Sequence, residues 1–154
     1  MIVVIDDLFD QEKINYIVND LPNIKESDGW FDKGVISYLD EIATVVNNYF
    51  LVENAAGYEM HKNVVSLGMH YDKDQLLYKR TGRLSYPICG VVYYPKIENM
   101  SGGELVFDDA SITPKTNRLV IFKGDLYHGV NPHTGTRISL GINPWLLKPL
   151  AYRI

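Results

Sequence analysis

Cysteine is almost absent from this sequence, since Cys89 stands alone among 154 residues. A single thiol cannot form an intramolecular disulfide, which excludes a secreted scaffold held by disulfides and favours a reducing compartment. Long apolar runs are also absent, and none approaches the roughly 18 residues of a membrane span. The amino terminus lacks a positively charged start and soon meets Asp6 and Asp7, unlike a secretion signal. We therefore expect a cytoplasmic protein with no membrane partner.

Positive charge is outnumbered, because 15 Lys and Arg residues against 19 Asp and Glu give a formal net charge of -4. A negative chain has no long-range attraction to phosphate backbones, so nucleic acid is not an expected partner. The sequence concentrates positive charge in residues 79–83, which carry two arginines and a lysine. We interpret this cluster as a solvated loop.

Apolar residues at helical spacing indicate two helices near the amino terminus. Residues 11–21 form the first pattern, with Asp10 as its N-cap and Pro22 ending it. A second helix begins near Ser37, and Asp40 in its first turn suits the helix dipole.

From about residue 57 the pattern changes to short β-rich runs separated by Gly, Pro and Asn. The runs cover residues 64–69, 88–94, 104–107, 118–122, 126–130 and 137–142. Short strands at this spacing are typical of a barrel or a double-sheet jelly roll. We predict an α+β chain that is mainly β: one domain over residues 1–154, with helical support over about 1–56 and a jelly-roll core over about 57–147.

Residues 73–86 lack a clean period and carry Asp, Lys, Arg, Gly and Ser. They predict a long loop, and loops of this length in compact domains are commonly functional. A lid over a site and a tolerated surface insertion both remain open.

Three polar residues among the strands predict a metal site. His70 and Asp72 are two residues apart, so on an extended strand their side chains point to the same face. His128 follows the apolar run 119–122. Each piece alone is common, but together they complete the two-histidine, one-carboxylate set that holds Fe(II) and leaves coordination positions open.

A buried cation would suit the cosubstrate that such an iron requires. A dicarboxylate such as 2-oxoglutarate can chelate the metal through its keto acid and present its far carboxylate to Arg137. The guanidinium offers a bidentate fork, and Ser139, two residues on, lies on the same strand face and can donate another hydrogen bond. The apolar strand around Arg137 argues against a surface ion pair.

These residues belong to a longer ordered pattern that resembles a known family. The pattern comprises Gly-Met-His70-Tyr-Asp72, Gly102-Gly103-Glu104-Leu105, Arg118-Leu-Val-Ile-Phe122, His128-Gly-Val130 and Arg137-Ile-Ser139. From about residue 57 to 145 it is similar to the prolyl 4-hydroxylase-like branch of the Fe(II)/2-oxoglutarate-dependent dioxygenases. The resemblance implies a double-stranded β-helix in which His70, Asp72 and His128 bind iron. Arg137 would then bind the distal carboxylate of 2-oxoglutarate, and Tyr94 falls where relatives place a phenol on the same carboxylate.

The resemblance also implies the reaction. Fe(II), 2-oxoglutarate and O2 would hydroxylate a C–H bond and release succinate and CO2, with ascorbate as a candidate reductant. The substrate remains open between a peptide or protein, for example at a proline, and a free amino acid or other small molecule. The sequence leaves the oligomeric state open.

Two departures from the pattern concern the substrate. Several relatives carry a tyrosine about ten residues before the first iron ligand, where this chain has Met60 with Tyr58 close by. Gly90 stands where some prolyl hydroxylases have a hydroxyl. Both leave iron and cosubstrate binding untouched and bear on whether the substrate is a proline.

Other functions stay as alternatives. Nucleic-acid dealkylases share the triad but carry a second arginine a few residues after the first, where this chain has Asn143. A radical halogenase would lack the carboxylate that Asp72 provides. A non-catalytic jelly-roll binding module is compatible with the fold, and a buried Arg137 facing a metal would argue against it.

Minor features receive simpler interpretations. Gly102 and Gly103 indicate hairpin geometry with unusual φ angles rather than a phosphate cradle. His61 and His133 are expected at the surface or in turns. Trp145 is expected either in the core or at the substrate mouth.

Overall fold

The computed structural model describes residues 1–24 and 29–153, and within them the strands form two antiparallel sheets packed face to face. The larger sheet has the order β1 (Ile2–Ile5), β8 (Leu119–Lys123), β5 (Cys89–Gly102), β10 (His133–Trp145), β3 (Gly57–Asn63) and β2 (Trp30–Asp32). The smaller sheet has the order β4 (Leu67–His70), β9 (His128–Val130), β6 (Leu105–Phe107) and β7 (Ser111–Ile112). The predicted jelly roll is therefore confirmed.

Both predicted helices are confirmed. Helix α1 spans Gln11–Asp20, and the Asp10 carboxylate accepts a hydrogen bond from the Lys13 backbone nitrogen at 2.8 Å. A short 3-10 helix, Leu21–Asn23, follows. Helix α2 spans Ser37–Val46. No helix in the described part of the chain is long and apolar enough to cross a membrane.

Alternation along the central strands divides the core into two layers. Tyr93 of β5 and Ile121 of β8 join the cluster of apolar residues that packs beneath α1 and α2. Tyr94 and Phe122, one residue on in each strand, turn to the opposite face and pack against the smaller sheet. This follows from the two-residue period of a strand. One face of the larger sheet thus supports the helices, and the other faces the space between the sheets.

The strand boundaries differ from the prediction at the amino-terminal end of the sheet. The predicted strand 64–69 is wrong in its bounds, because β3 ends at Asn63 and β4 begins at Leu67. One face of β3 carries polar side chains, so the sequence of this strand lacks the apolar run on which the prediction depended. The first 56 residues also contribute β1 and β2 to the larger sheet, so they are not only a helical support.

The predicted loop 73–86 contains a helix, which corrects that interpretation. Helix α3 spans Gln75–Thr81, with Asp74 as N-cap and Gly82 at φ +72° as C-cap. None of the residues of α3 is buried. The helix therefore has no apolar face that would give its sequence a helical period. Its ends are nevertheless encoded locally, by an aspartate cap and a left-handed glycine.

Candidate active site

The smaller sheet brings two histidines side by side. Strands β4 and β9 run antiparallel, and their register pairs His70 with His128. The centres of the two imidazole rings are 4.5 Å apart. Asp72 lies two residues beyond the end of β4 and turns its carboxylate toward both rings.

The three ligand atoms have the spacing that one metal ion requires. Asp72 Oδ1 is 3.3 Å from His70 Nε2, and Asp72 Oδ2 is 3.3 Å from His128 Nε2. All three residues offer ligand atoms within 4.8 Å of one another. Neighbouring ligands of an octahedral ion with bonds of about 2.1 Å lie about 3 Å apart, so the donor set fits an octahedral cation.

Backbone carbonyls fix the orientation of both imidazoles. His70 Nδ1 is 2.7 Å from the Gly68 carbonyl oxygen, and His128 Nδ1 is 2.8 Å from the Leu126 carbonyl oxygen. A carbonyl can only accept, so each Nδ1 carries a proton and leaves Nε2 to face Asp72. Each Nε2 either carries a second proton, which it donates to the Asp72 carboxylate, or is deprotonated and offers a lone pair to a metal ion beside that carboxylate. The bonds to the carbonyls are the outer hydrogen bonding that orients metal-binding histidines.

The two histidines keep Asp72 ionised despite its burial. Burial by itself would raise the pKa of the carboxyl, but hydrogen bonds with His128 and His70 hold that pKa well below its usual range. The pKa of His70 is raised chiefly by its hydrogen bond with Asp72, against the opposing effect of burial. A negative charge therefore remains at the centre of the cluster at neutral pH.

Aromatic side chains close the site behind the buried His128. The Phe122 ring centre is 4.8 Å from the His128 ring centre, at an angle of 61°. Phe107 approaches the same imidazole at 6.0 Å. An apolar wall of this kind excludes water and strengthens electrostatic interactions inside the site.

Arg137 is buried on β10, with 2% of its surface exposed. Its Nε donates to the Gly103 carbonyl at 3.1 Å, and one terminal nitrogen donates to Ser139 Oγ at 2.9 Å. No carboxylate of residues 1–24 or 29–153 forms an ion pair with it. Burial lowers the pKa of Arg137, and Tyr94 opposes that shift. A guanidinium stays charged in proteins, and a buried charge without a counterion predicts an anionic ligand.

Tyr94 adds a second unsatisfied group beside this cation. The guanidinium carbon of Arg137 lies 5.3 Å from the centre of the Tyr94 ring. The Tyr94 hydroxyl is buried and has no hydrogen-bond partner among the described residues. Burial raises the pKa of this phenol, while Arg137 opposes the shift. Buried hydroxyls normally have partners, so this one indicates a ligand with a free acceptor.

A cavity of about 280 Å³ extends from the cluster of His70, Asp72 and His128 to Arg137. The histidines and Asp72 line one part of it, and Arg137 with Ser139 lines another. The cavity is therefore suited to a molecule that touches a metal at one end and the guanidinium at the other. A dicarboxylate has that shape and charge.

Three further cavity residues were not predicted. Asn63, Asn143 and His61 all line the cavity from β3 and β10. His61 is exposed, as expected, yet its ring also borders the site. The sequence signal lay in the alternation of β3, where residues two apart share a face, but the polar strand was not identified.

The structure also places the two adjacent glycines and Trp145. Gly102 and Gly103 have φ angles of +80° and +75°, as predicted for hairpin geometry. The Gly103 carbonyl in addition accepts from Arg137. Trp145 is buried, and its indole nitrogen donates to Glu59 at 3.3 Å.

Comparison with known proteins places this geometry in context. Residues 51–146 match the 2OG-Fe(II) oxygenase superfamily, where 2OG is 2-oxoglutarate. No curated protein matches the chain.

Solved structures that share the fold include three prolyl hydroxylases. A prolyl-4-hydroxylase from Pseudomonas putida has a TM-score of 0.63 at 17% identity, covering 96% of this chain and 88% of that chain. The collagen prolyl hydroxylase of Paramecium Bursaria Chlorella virus-1, in complex with 2OG, has a TM-score of 0.66 at 17% identity and covers 96% of both chains. A Trichoplax adhaerens prolyl hydroxylase bound to a peptide fragment of hypoxia inducible factor has a TM-score of 0.62 at 11% identity, covering 99% and 87%. At these identities the likeness establishes the fold, a double-stranded β-helix.

Proposed function

Because the chain belongs to the 2OG-Fe(II) oxygenase superfamily, we propose that it hydroxylates a C–H bond of a peptide substrate with Fe(II), 2-oxoglutarate and O2, releasing succinate and CO2. One observation carries this proposal. An ionised carboxylate between two oriented imidazoles shares a cavity with a buried guanidinium that has no anionic partner.

We assign the metal to His70, Asp72 and His128. Their lone pairs converge, and two imidazoles with one carboxylate suit Fe(II) at a facial site with open positions. When bound, the ion would activate O2 while decarboxylation of 2-oxoglutarate supplies the electrons for hydroxylation. The chain's own contribution is to orient both imidazoles through Gly68 and Leu126 and to hold the carboxylate charged.

We assign the far carboxylate of 2-oxoglutarate to Arg137, Tyr94 and Ser139. The guanidinium would offer paired N–H donors, and the orphaned Tyr94 hydroxyl would donate a further hydrogen bond. Ser139 would orient the guanidinium and extend the polar end of the cavity. A non-catalytic jelly-roll module has no use for this buried cation, which disfavours that alternative.

The peptide substrate is supported by the kind of protein that shares the fold. Prolyl hydroxylases recur among the similar structures, and one of them holds a peptide fragment. At Met60 and Gly90 this chain departs from the residues that prolyl hydroxylases carry. The proposal therefore names a peptide residue as the substrate but does not specify proline. A free amino acid or other small molecule is the alternative.

We propose a cytoplasmic setting for this chemistry. Cys89 is a free, buried thiol, which fits a reducing compartment such as the cytoplasm. Fe(II) also persists there, and ascorbate would serve as the reductant in an assay.

The experiment is an anaerobic titration of the purified protein with Fe(II) and then 2-oxoglutarate, followed by aerobic assay of succinate with ascorbate present. We expect a visible charge-transfer band from the metal chelate. Asp72→Ala should abolish the band and reduce succinate formation by more than about a hundredfold, since losing even an outer-shell partner costs 10- to 100-fold. Asp109→Ala, an exposed aspartate outside the cavity, is the matched control. Wild-type protein without a band, or Asp72→Ala with normal turnover, would contradict the proposal.

A further inference from the structure

The cavity continues beyond the part that 2-oxoglutarate can fill. Every second residue in this part of β10 faces the cavity, namely Arg137, Ser139, Gly141 and Asn143. At about 3.3 Å per residue, Gly141 lies about 13 Å and Asn143 about 20 Å along the strand from Arg137. The five carbons of 2-oxoglutarate span only about 5 Å. Gly141 and Asn143 therefore border space that is left for another molecule.

Two carboxamides point into this space without partners. Asn143 is 8% exposed, and Asn63 sits on the neighbouring strand β3, which pairs with β10. Within the described residues, neither side chain makes a hydrogen bond. The nearest carboxylate on β3 is already engaged, because Glu59 accepts from the Trp145 indole and from the Tyr152 hydroxyl. Asn143 is buried and Asn63 is half-buried. Because both line the cavity and neither is engaged within the protein, both carboxamides are free to pair with a ligand there.

Gly141 lies between these carboxamides and leaves room for that ligand. A Cβ at this position would meet nothing closer than the Asn63 side-chain nitrogen at 3.7 Å. Its φ is outside the left-handed region as well, since Gly141 is not among the positive-φ glycines. Neither backbone strain nor crowding requires glycine here. The missing side chain enlarges the cavity.

The charge of the lining limits what can enter. Arg137 and Asp72 are committed to the cosubstrate and the metal, and the described lining residues include no other Lys, Arg, Asp or Glu. His61 pairs with Glu59 at 3.6 Å. A free amino acid would bring an ammonium and a carboxylate without counterions. A main-chain amide brings one donor and one acceptor, and a carboxamide matches both.

We propose that Asn143 and Asn63 bind a main-chain amide next to the hydroxylated residue, with Gly141 providing the space, so that the substrate is an internal peptide residue rather than a free amino acid. This inference rests on the proposed oxygenase function. It makes Asn143 a specificity-determining residue, because its carboxamide would be left unpaired by a ligand that lacks the amide.

The test compares capped and free amino acids on the Fe(II)-loaded protein. The probes are the N-acetyl, N-methylamide derivatives of the twenty amino acids and the same amino acids uncapped, each added with 2-oxoglutarate. The readouts are the perturbation of the anaerobic charge-transfer band and the KM for stimulated succinate formation. We expect at least one capped derivative to act at a concentration about tenfold or more below that of its free counterpart.

Two variants examine the assigned residues. Asn143→Leu keeps the size of the side chain and removes its hydrogen bonds, so the KM of the active capped probe should rise about tenfold or more. Gly141→Ala adds a methyl group that the fold accommodates, and it should raise the same KM by filling the space. Asn15→Leu, an exposed position on α1, is the matched control and should leave that KM unchanged.

The outcomes separate the two proposals. Absence of the band in the wild-type protein would overturn the oxygenase assignment and this inference together. A normal band with free amino acids acting as well as capped ones, or with no capped probe acting at all, would overturn only the inference. An unchanged KM in both Asn143→Leu and Gly141→Ala would also overturn it.

Discussion

Gly90, Phe122 and His128 form a stack in which each residue sets the position of the next. A Cβ at Gly90 would lie 2.2 Å from the Phe122 ring, far inside contact distance. The missing side chain at Gly90 leaves room for the ring, and the centre of the same ring is 4.8 Å from that of His128. Gly90 thus acts on the proposed metal ligand through Phe122.

Gly90→Ala should push Phe122 toward His128. We expect the free energy of unfolding to fall by about 1–3 kcal/mol, as for other overpacked cores, and Fe(II) to bind more weakly. Urea unfolding without metal and an anaerobic Fe(II) titration measure the two effects. Adding Phe122→Leu in the same chain should recover much of both losses, because contacting residues couple. Independent, additive effects of the two substitutions would refute the stack.

At the scale of elements, α3 is held by its ends rather than by its faces. The Asp74 carboxylate accepts from the Leu77 backbone nitrogen at 3.1 Å and from the Leu150 backbone nitrogen at 2.9 Å. Asp74 is buried although α3 itself has no buried residue. One carboxylate therefore both caps the helix and ties it to the carboxyl-terminal 3-10 helix, Leu150–Tyr152.

Asp74→Ala should release α3 locally. Loss of the cap and an unpaired Leu150 N–H cost about 1–3 kcal/mol together, which corresponds to amide exchange about 5- to 150-fold faster. Amide hydrogen exchange of residues 75–82 in Asp74→Ala and in the parent chain measures this acceleration. Asp74→Asn retains one acceptor oxygen and should show a smaller acceleration. Equal exchange in Asp74→Ala and the parent chain would show that other contacts hold the helix.

The two proposed ligand-binding groups lie on different sheets of the molecule. The proposed metal ligands belong to the smaller sheet and its flanking chain, whereas Arg137 and Ser139 belong to β10 of the larger sheet. A cosubstrate that touches both would join the sheets across their shared cavity. Metal and 2-oxoglutarate should therefore stabilise the fold cooperatively.

This coupling is measurable as thermal stability. With Mn(II) in place of Fe(II), 2-oxoglutarate at about 100 times its Kd should add about 2.7 kcal/mol, or roughly 5–10 °C in Tm for a chain of this size. Without metal the same cosubstrate should add much less. Arg137→Ala should keep the shift caused by Mn(II) and lose most of the shift caused by 2-oxoglutarate. An equal 2-oxoglutarate shift in that variant would contradict the assignment of Arg137.

The larger sheet also includes strands from the amino-terminal part of the chain, which concerns the number of domains. Strand β1 pairs with β8, and β2 pairs with β3, so the amino-terminal residues complete the same sheet that carries Arg137. We propose that the chain is one domain, with no boundary at residue 57. Removing β1 would expose the edge of β8 and should be poorly tolerated.

The sequence by itself determined those features whose signals are local. Helix α1 has its cap and its apolar period within a dozen residues. The two-residue spacing of His70 and Asp72 predicts that both side chains face one ion, and they do approach each other although Asp72 lies just past the end of β4. The apolar run around Arg137 was enough to indicate a buried cation. Each inference depends on residues close together in the chain, where propensity and periodicity act.

Only the tertiary structure decided which distant residues share a cavity. Asn63 meets Ser139 through the pairing of β3 with β10, 76 residues apart, and no local pattern encodes that register. Gly90 gains its meaning only from the Phe122 ring that lies on it. Burial, register and the loss of hydrogen-bond partners arise from contacts between strands far apart in sequence. The sequence could therefore predict ligands for the proposed metal site, but not the residues that line the rest of the cavity.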